Sequence, residues 1–232
     1  MTGAGKRILV IYSWPKIWSM GPGRGSPDFY LSLKSLASVS ERVVVVHPAG
    51  PEALAGAPES VEAAGFRSLI PERLVPTPAC LREGRLLGLK KCLRAGLFAL
   101  NWLIRLAWYC YFTVAAYRAG TRAAEKLGPS LVAAFGCTAV PAARLLASRY
   151  RLPLVVRLFG VSLGMRGFSL LEQAAKFDET LSFRLRADRW VITDDGSAGD
   201  EAARRLGVPG SRVVFPLCGV ERPALAEEFD RG

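Results

Sequence analysis

Residues Arg42 to His47 read Arg-Val-Val-Val-Val-His, four β-branched apolar residues in a row with no polar residue among them. A strand wetted on one face alternates apolar and polar side chains, whereas an unalternating strand must be covered on both faces, as in the parallel sheets of α/β proteins. Helices are therefore expected on both sides of any sheet this segment joins. Similar runs recur at Arg7–Tyr12, Leu131–Phe135, Leu154–Phe159, Trp190–Thr193 and Arg212–Phe215. Helical spacing marks the segments between them. Asp28–Val39 carries Phe29, Leu33, Leu36 and Ala37 in register, and Val140–Tyr150, Ser169–Ala187 and Ser197–Leu206 continue the alternation. Strand and helix in alternation, with short connections, specify an α/β fold with a doubly wound parallel sheet, right-handed crossovers and ligands at the carboxyl ends of the strands. A chain of 232 residues is accounted for by one such domain.

One stretch departs from this rhythm. A connection rich in proline, glycine and alanine covers Pro48–Gly65, Phe66–Ile70 reads as a third strand, and the prolines of Pro71–Pro78 break regular structure. Residues 81–127 then turn helical and strongly apolar, read as two helices parted near Ala95 and Gly96. Cys80 to Lys126 also holds nine basic residues against Glu83 and Glu125, a large share of the chain's net charge of +11. Such a surplus favours an anionic partner. Because it sits beside an apolar helix instead of along a face with interleaved stacking rings, nucleic acid is not expected as that partner.

The five cysteines form no C-x-x-C pair, which fits reduced thiols better than a disulfide framework, and a single histidine leaves zinc without its usual ligands, so no metal is expected. Met1 to Tyr12 passes from Lys6 and Arg7 straight into a strand without a signal-peptide pattern, which implies a cytoplasmic protein.

Three places could carry chemistry. The loop Gly21-Pro22-Gly23-Arg24-Gly25-Ser26-Pro27 lies between the first strand and the first helix. Glycines there let backbone approach a ligand, while Ser26 as N-cap and Pro27 at the first helical position would turn free N–H groups toward phosphate; Gly23, Arg24, Gly25 and Ser26 are the candidate phosphate contacts. A surface turn leading into a capped helix would carry the same residues, and position at the first strand–helix turn favours the functional reading. Phe159 and Gly160 end a buried strand, where glycine permits close ligand contact. In Thr193-Asp194-Asp195-Gly196, Asp195 reads as an N-cap and Asp194 as the freer carboxylate. His47 ends the second strand without a nucleophile or carboxylate pattern around it and reads as structural. No G-x-S-x-G elbow, phosphate-binding G-x-x-x-x-G-K-S/T loop or catalytic Cys/His signature is present.

Taken in order, these segments resemble the N-terminal, acceptor-side domain of glycosyltransferase family 4, the Rossmann-like N-terminal half of a GT-B fold, from Lys6 to Glu221. The glycine loop matches the family's loop near the donor phosphates. Gly128-Pro129-Ser130-Leu131-Val132, Leu152-Pro153-Leu154-Val155-Val156 through Phe159-Gly160, and Ala187-Asp188-Arg189-Trp190-Val191-Ile192-Thr193 resemble three of its strand entries. Leu206 to Glu221 resembles the closing strand of the first domain and is the most specific match. Phe159 stands where many members carry a histidine that contacts the transferred sugar, Ser130 replaces the usual Asp, and Cys218 and Glu221 replace Asn and Asp.

The resemblance implies one domain over residues 1–222, with 223–232 opening a linker to a nucleotide-sugar-binding domain absent from this sequence. It implies glycosyl transfer with retention from a nucleotide sugar, as donor substrate and without a cofactor, to a saccharide or lipid-linked acceptor; Phe159, Gly160 and Asp194 would face acceptor or sugar. Backbone N–H groups and basic side chains would stabilise the departing diphosphate. The alternative is a non-catalytic binding subunit that docks a membrane or a separate nucleotide-binding chain. The chain alone is expected to be inactive.

The segment Lys90–Tyr117 adds a last expectation. Between Ala95 and Tyr117 the only charge is Arg105, and Trp102, Trp108, Tyr109, Tyr111 and Phe112 are residues that favour the headgroup region. A span would part the strands before it from those after it, so the segment is expected either to lie peripherally on the inner face of an anionic membrane or to form core.

Overall fold

The computed structural model describes residues 5–13, 27–48, 54, 57–66, 89–164, 168–194 and 199–215, with backbone alone at 27, 28, 30 and 89–98. Its strands are β1 (Arg7–Tyr12), β2 (Arg42–His47), β3 (Val61–Gly65), β4 (Leu131–Phe135), β5 (Leu154–Leu158), β6 (Arg189–Ile192) and β7 (Val213–Val214). The α-helices are α1 (Pro27–Val39), α2 (Leu89–Leu127), α3 (Val140–Tyr150), α4 (Leu170–Ala175), α5 (Phe177–Arg184) and α6 (Gly199–Arg205). All strands pair in parallel in the order β3-β2-β1-β4-β5-β6-β7, which is the doubly wound, Rossmann-like sheet expected from the unalternating runs.

The faces follow from handedness. A right-handed crossover from β1 to β2 puts its helix on one face, and one that moves the opposite way along the sheet puts it on the other. Accordingly Phe29, Leu33 and Leu36 of α1 pack with Ile8, Val10, Val43 and Val45, whereas α2, α3 and parts of α5 and α6 pack with Leu9, Ile11, Val44, Val46, Val156 and Ile192. Alternate residues of each strand thus feed opposite cores. Both cores are closed to solvent: the six residues Ile8 to Ser13 are at most 6% exposed, and Val43, Val45 and Val46 are fully buried.

Three expectations are corrected. Residues 89–127 form one helix and not two parted at Ala95 and Gly96. An interior glycine weakens a helix by only about 1 kcal/mol, no proline interrupts 89–127, and Phe112, Ala116, Ala119, Ala123 and Leu127 bury one continuous side of it. Gly120 lets the helix lie close against α3, since a Cβ there would meet Leu146 Cδ1 at 2.5 Å.

The third strand is Val61–Gly65, inside the connection, and not Phe66–Ile70; of the latter, only Phe66 is described. Pairing with β2, in the register Val43↔Val61 to His47↔Gly65, decides its place. Its alanines carry too little β-propensity to announce it.

Ser169–Ala187 is not one helix but two, parted at Lys176, whose backbone lies at φ −110°, ψ 42°. The break has a visible cause. Trp102 Nε1 donates to the carbonyl of Ala174 at 2.8 Å, Arg105 Nη1 to that of Ala175 at 3.0 Å, and Thr180 Oγ1 to that of Gln173 at 3.1 Å. The acceptors that a continued helix needs are taken, two of them by α2.

Among the described residues no helix is long and apolar enough to cross a membrane. Arg105, half-buried and paired with Asp178 at 3.0 Å, belongs to the seam between α2 and α5.

Candidate functional site

Where the helix after β1 leaves to one face and the helix after β4 leaves to the other, an open parallel sheet parts into a crevice above its carboxyl ends. The strand order places that switch between β1 and β4. Four rings line the strand ends there. Tyr12 stacks on Phe29 of α1 with centroids 3.8 Å apart, Phe29 meets Phe135 edge-on at 5.7 Å, and Phe135 meets Phe159 edge-on at 5.8 Å. Tyr12, Phe29 and Phe135 are buried, while the last ring, Phe159, is half-buried. The buried guanidinium of Arg157 lies 5.1 Å from the Phe159 centroid. Edge-on and stacked pairs each add about 0.5–1.5 kcal/mol beyond area burial, and a desolvated cation over a ring adds more, so this ladder is rigid. Burial also pushes the Tyr12 phenol well above its ordinary value of 10.0, which keeps it neutral.

Glycines turn the chain at both neighbouring strand ends. Gly136 after β4 has φ 87° and Gly160 after β5 has φ 130°, values that residues with a Cβ rarely adopt. Beyond Gly160 the described part of the loop is fastened by two carboxylates. Glu179 accepts from Ser162 Oγ at 2.6 Å and from the N–H of Leu163 at 2.7 Å; Glu172 accepts from the N–H groups of Gly164 at 3.2 Å and Phe168 at 2.8 Å. Burial is the main cause that raises the Glu179 carboxyl above its ordinary range, Asp178 adds to it, and the bonds from Ser162 and Leu163 oppose it. Burial, followed by Glu179 and Asp178, pushes the nearby Cys137 thiol up, which suits a packing residue and not a nucleophile.

At the end of β6, Thr193 is buried, with its N–H and hydroxyl 3.0 and 3.3 Å from the Leu158 carbonyl, and Asp194 stands exposed at the rim. The start of α4, capped by Ser169, presents Leu170 and Leu171 at 83% and 76% exposure.

The structure therefore brings Phe159, Gly160 and Asp194 together at the carboxyl ends of adjoining strands β5 and β6. Gly23, Arg24, Gly25 and Ser26 lie outside the described residues, as do Asp195, Cys218 and Glu221; α1 does begin at Pro27. Ser130 and Asp188 are structural. Ser130 Oγ lies 3.2 Å from both the N–H and the carbonyl of Arg7, clipping β4 to β1, and Asp188 accepts from the N–H of Leu154 at 2.8 Å, where β5 begins. His47 is fully buried at the end of β2. Among the described residues, no three of His, Cys, Asp and Glu gather as a metal site.

Sequence reading missed Tyr12 and Phe135 as floor residues, and Glu172 and Glu179 as loop anchors. The two glutamates stand seven apart after a glycine-bearing loop, which on the single helix expected over Ser169–Ala187 is two turns along one face, a spacing that could have singled them out although the chain breaks between them at Lys176. Taken together, a neutral aromatic floor, a fastened loop and a rim carboxylate suit a polar ligand with an apolar face, such as a sugar ring.

The sequence matches no protein-family model and no curated protein. Solved structures do match in fold. UDP-N-acetylglucosamine 2-epimerase from Rickettsia bellii aligns with 98% of this chain and 48% of its own at TM-score 0.50 and 11% identity. CalG4, the calicheamicin glycosyltransferase, aligns with 91% of this chain and 52% of its own at 0.53 and 18%. A chain of sucrose-phosphate synthase from Thermosynechococcus elongatus aligns with 96% of each at 0.52 and 13%. This chain spans about half the length of the first two. At these identities the likeness is one of architecture: the chain has the Rossmann-like fold found in glycosyltransferases of the GT-B type.

Proposed function

We propose that this chain is the acceptor-binding half of a retaining glycosyltransferase, of the kind family 4 represents, which moves a glycosyl unit from a nucleotide sugar to a saccharide or lipid-linked acceptor. The observation that carries this reading is the aromatic ladder from Tyr12 to Phe159 at the β1/β4 switch, with Gly160 and Asp194 at the neighbouring strand ends, on a fold shared with glycosyltransferases. A partly exposed ring can stack on a sugar face, Asp194 can accept from its hydroxyls, and the exposed Leu170 and Leu171 offer apolar contact to a lipid-linked acceptor. Donor phosphate would meet Gly23, Arg24, Gly25 and Ser26, and a second nucleotide-binding domain or subunit would complete the cleft. The enzyme would work in the cytoplasm, peripheral at the inner face of the membrane.

One residue favours a second reading, a non-catalytic binding subunit: Phe159 is built into the packed ladder where the resembled family often has an imidazole. An assay of the purified chain with nucleotide sugars and saccharide or lipid-linked acceptors separates the two. Acceptor binding that Phe159→Ala weakens, without turnover by the chain alone, is expected, because transfer needs donor and acceptor held in one closed cleft. Robust turnover by the isolated chain would overturn the placement of donor binding elsewhere. Absence of saccharide or lipid-linked binding, with the chain folded, would remove the acceptor site. With the whole enzyme, Arg24→Ala and Gly25→Val are expected to lower the rate at unchanged melting temperature; an unchanged rate would return that loop to a plain turn.

A further inference from the structure

A helix that covers a sheet normally turns charged residues to water on its opposite side. Among the described side chains of α2, which begin at Ala99, the outward side does so only from Arg118 onward, where Arg118, Arg122, Glu125 and Lys126 are exposed. From Ala99 to Val114 the exposed positions are Ala99, Leu100, Leu103, Ala107, Cys110 and Val114, with Leu100, Leu103 and Val114 at 54%, 56% and 50% exposure. From Leu100 these recur at steps of three, four, three and four, one uncharged stripe along four turns.

We propose that this stripe docks the protein on an anionic lipid surface, with α2 lying flat on it. The inference deepens the peripheral placement proposed above by assigning it to this stripe, and it needs no part of the sugar-transfer site. Spanning is excluded by length and by attachment. Between Arg105 and Arg118 only twelve uncharged residues intervene, against about 20 for a crossing, and Arg105 is tied to Asp178 and to the Ala175 carbonyl of the domain itself. A stripe bounded by charge, on a helix bonded to its own domain, lies on a bilayer.

Charge selects a bilayer over a second copy of the chain. Both ends of α2 are basic: Lys90, Lys91 and Arg94 in its opening turns, and Arg118, Arg122 and Lys126 near its close. Two copies paired antiparallel along the stripe would bring the basic end of one against the basic start of the other. A parallel pair would set each base beside its own copy. Like charges repel in both arrangements, whereas anionic headgroups receive bases at both ends, in a chain of net charge +11.

The test is co-sedimentation of the full chain with phosphatidylcholine vesicles, with and without phosphatidylglycerol, at low and high salt, alongside analytical ultracentrifugation without lipid. Binding that requires phosphatidylglycerol and falls with salt is expected, with at least a tenfold loss of partitioning in Leu100→Glu/Leu103→Glu at an unchanged melting temperature. Leu145→Glu, at an exposed leucine of α3, is expected to bind as the wild type does. The proposal is overturned if the folded chain ignores anionic vesicles, or if the double variant binds undiminished. It is likewise overturned by equal binding to neutral vesicles, by release only with detergent, or by a lipid-independent dimer that the double variant dissolves.

Discussion

The two halves of α2 share one buried side and differ on the other. From Ala99 to Val114 the outward residues are apolar; from Arg118 to Lys126 they are mostly charged, and Arg122 and Lys126 help line an open groove of about 500 Å³ with Arg42 and Glu62 at the β2–β3 edge. Inward, Trp108, Phe112 and Ala116 continue into Ala119, Ala123 and Leu127 without a change of character. The requirement to cover the sheet therefore explains the inner side throughout and the outer side nowhere. On the docking proposed above, a difference confined to the outer side reflects what lies beyond the molecule, water along one part and a lipid surface along the other. The halves also differ in what they hold, since among the described residues it is Trp102 and Arg105 of the first that bond to α4 and α5.

The shared inner side can be broken first, with the largest effect. Phe112→Ala should destabilise by about 3–5 kcal/mol, as truncation of a fully buried ring does, whereas Leu103→Ala should stay within about 0.5 kcal/mol. Denaturant unfolding of the two variants measures this; similar losses would mean that the outward stripe is packed as core is.

Removal of the fastening side chains should come next. Arg105→Ala takes away an ion pair and a carbonyl bond at a half-buried seam and should lower stability by about 1–3 kcal/mol. Hydrogen exchange should show the loss concentrated in α4 and α5, which would confirm that the first half of α2 anchors them, and a uniform loss would deny it.

Glu179 sharpens the same seam through pH. Its folded-state carboxyl is raised above the ordinary 4.5, so the folded chain binds this proton more tightly than the unfolded chain does. The resulting stability is present below 4.5 and is lost as pH rises through the raised value. Glu179→Gln cannot titrate, so its stability relative to the wild type should improve as pH rises across that window. Parallel thermal-melt profiles of the two proteins would contradict this.

The smallest effect on stability belongs to the outward residues. Val114→Arg, which extends the charged half by a turn, should shift stability by no more than about 0.5 kcal/mol in denaturant. A larger loss would show that Val114 is held by packing.

Much of the sheet was legible in the chain. Arg7–Tyr12, Arg42–His47 and Leu131–Phe135 read as strands at the bounds they adopt, because a short unalternating apolar run between helical segments suits a strand buried on both faces. Val61–Gly65 did not, because Ala63, Ala64 and Gly65 become a strand only when β2 offers them an edge. Of the crevice, the glycine turn at Gly160 and the rim at Asp194 could be read from strand ends. The ladder could not, since Tyr12, Phe29, Phe135 and Phe159 come from four separate segments that meet only when β1, β4 and β5 stand side by side.

By itself the sequence determined the alternation of strand and helix, the two-sided burial of the strands and the direction of the charge imbalance. Each depends on residues a few positions apart, whose periodicity acts whatever surrounds them. The tertiary structure decided the break at Lys176, the grip of Glu172 and Glu179 on the loop after β5, and which apolar side of α2 stays outside. The break depends on Trp102 and Arg105 reaching carbonyls 72 and 70 residues further along the chain. The exposed stripe depends on which side of the apolar stretch from Ala99 to Tyr117, charged at Arg105 alone, the sheet claims first, and hydrophobicity without direction cannot specify that.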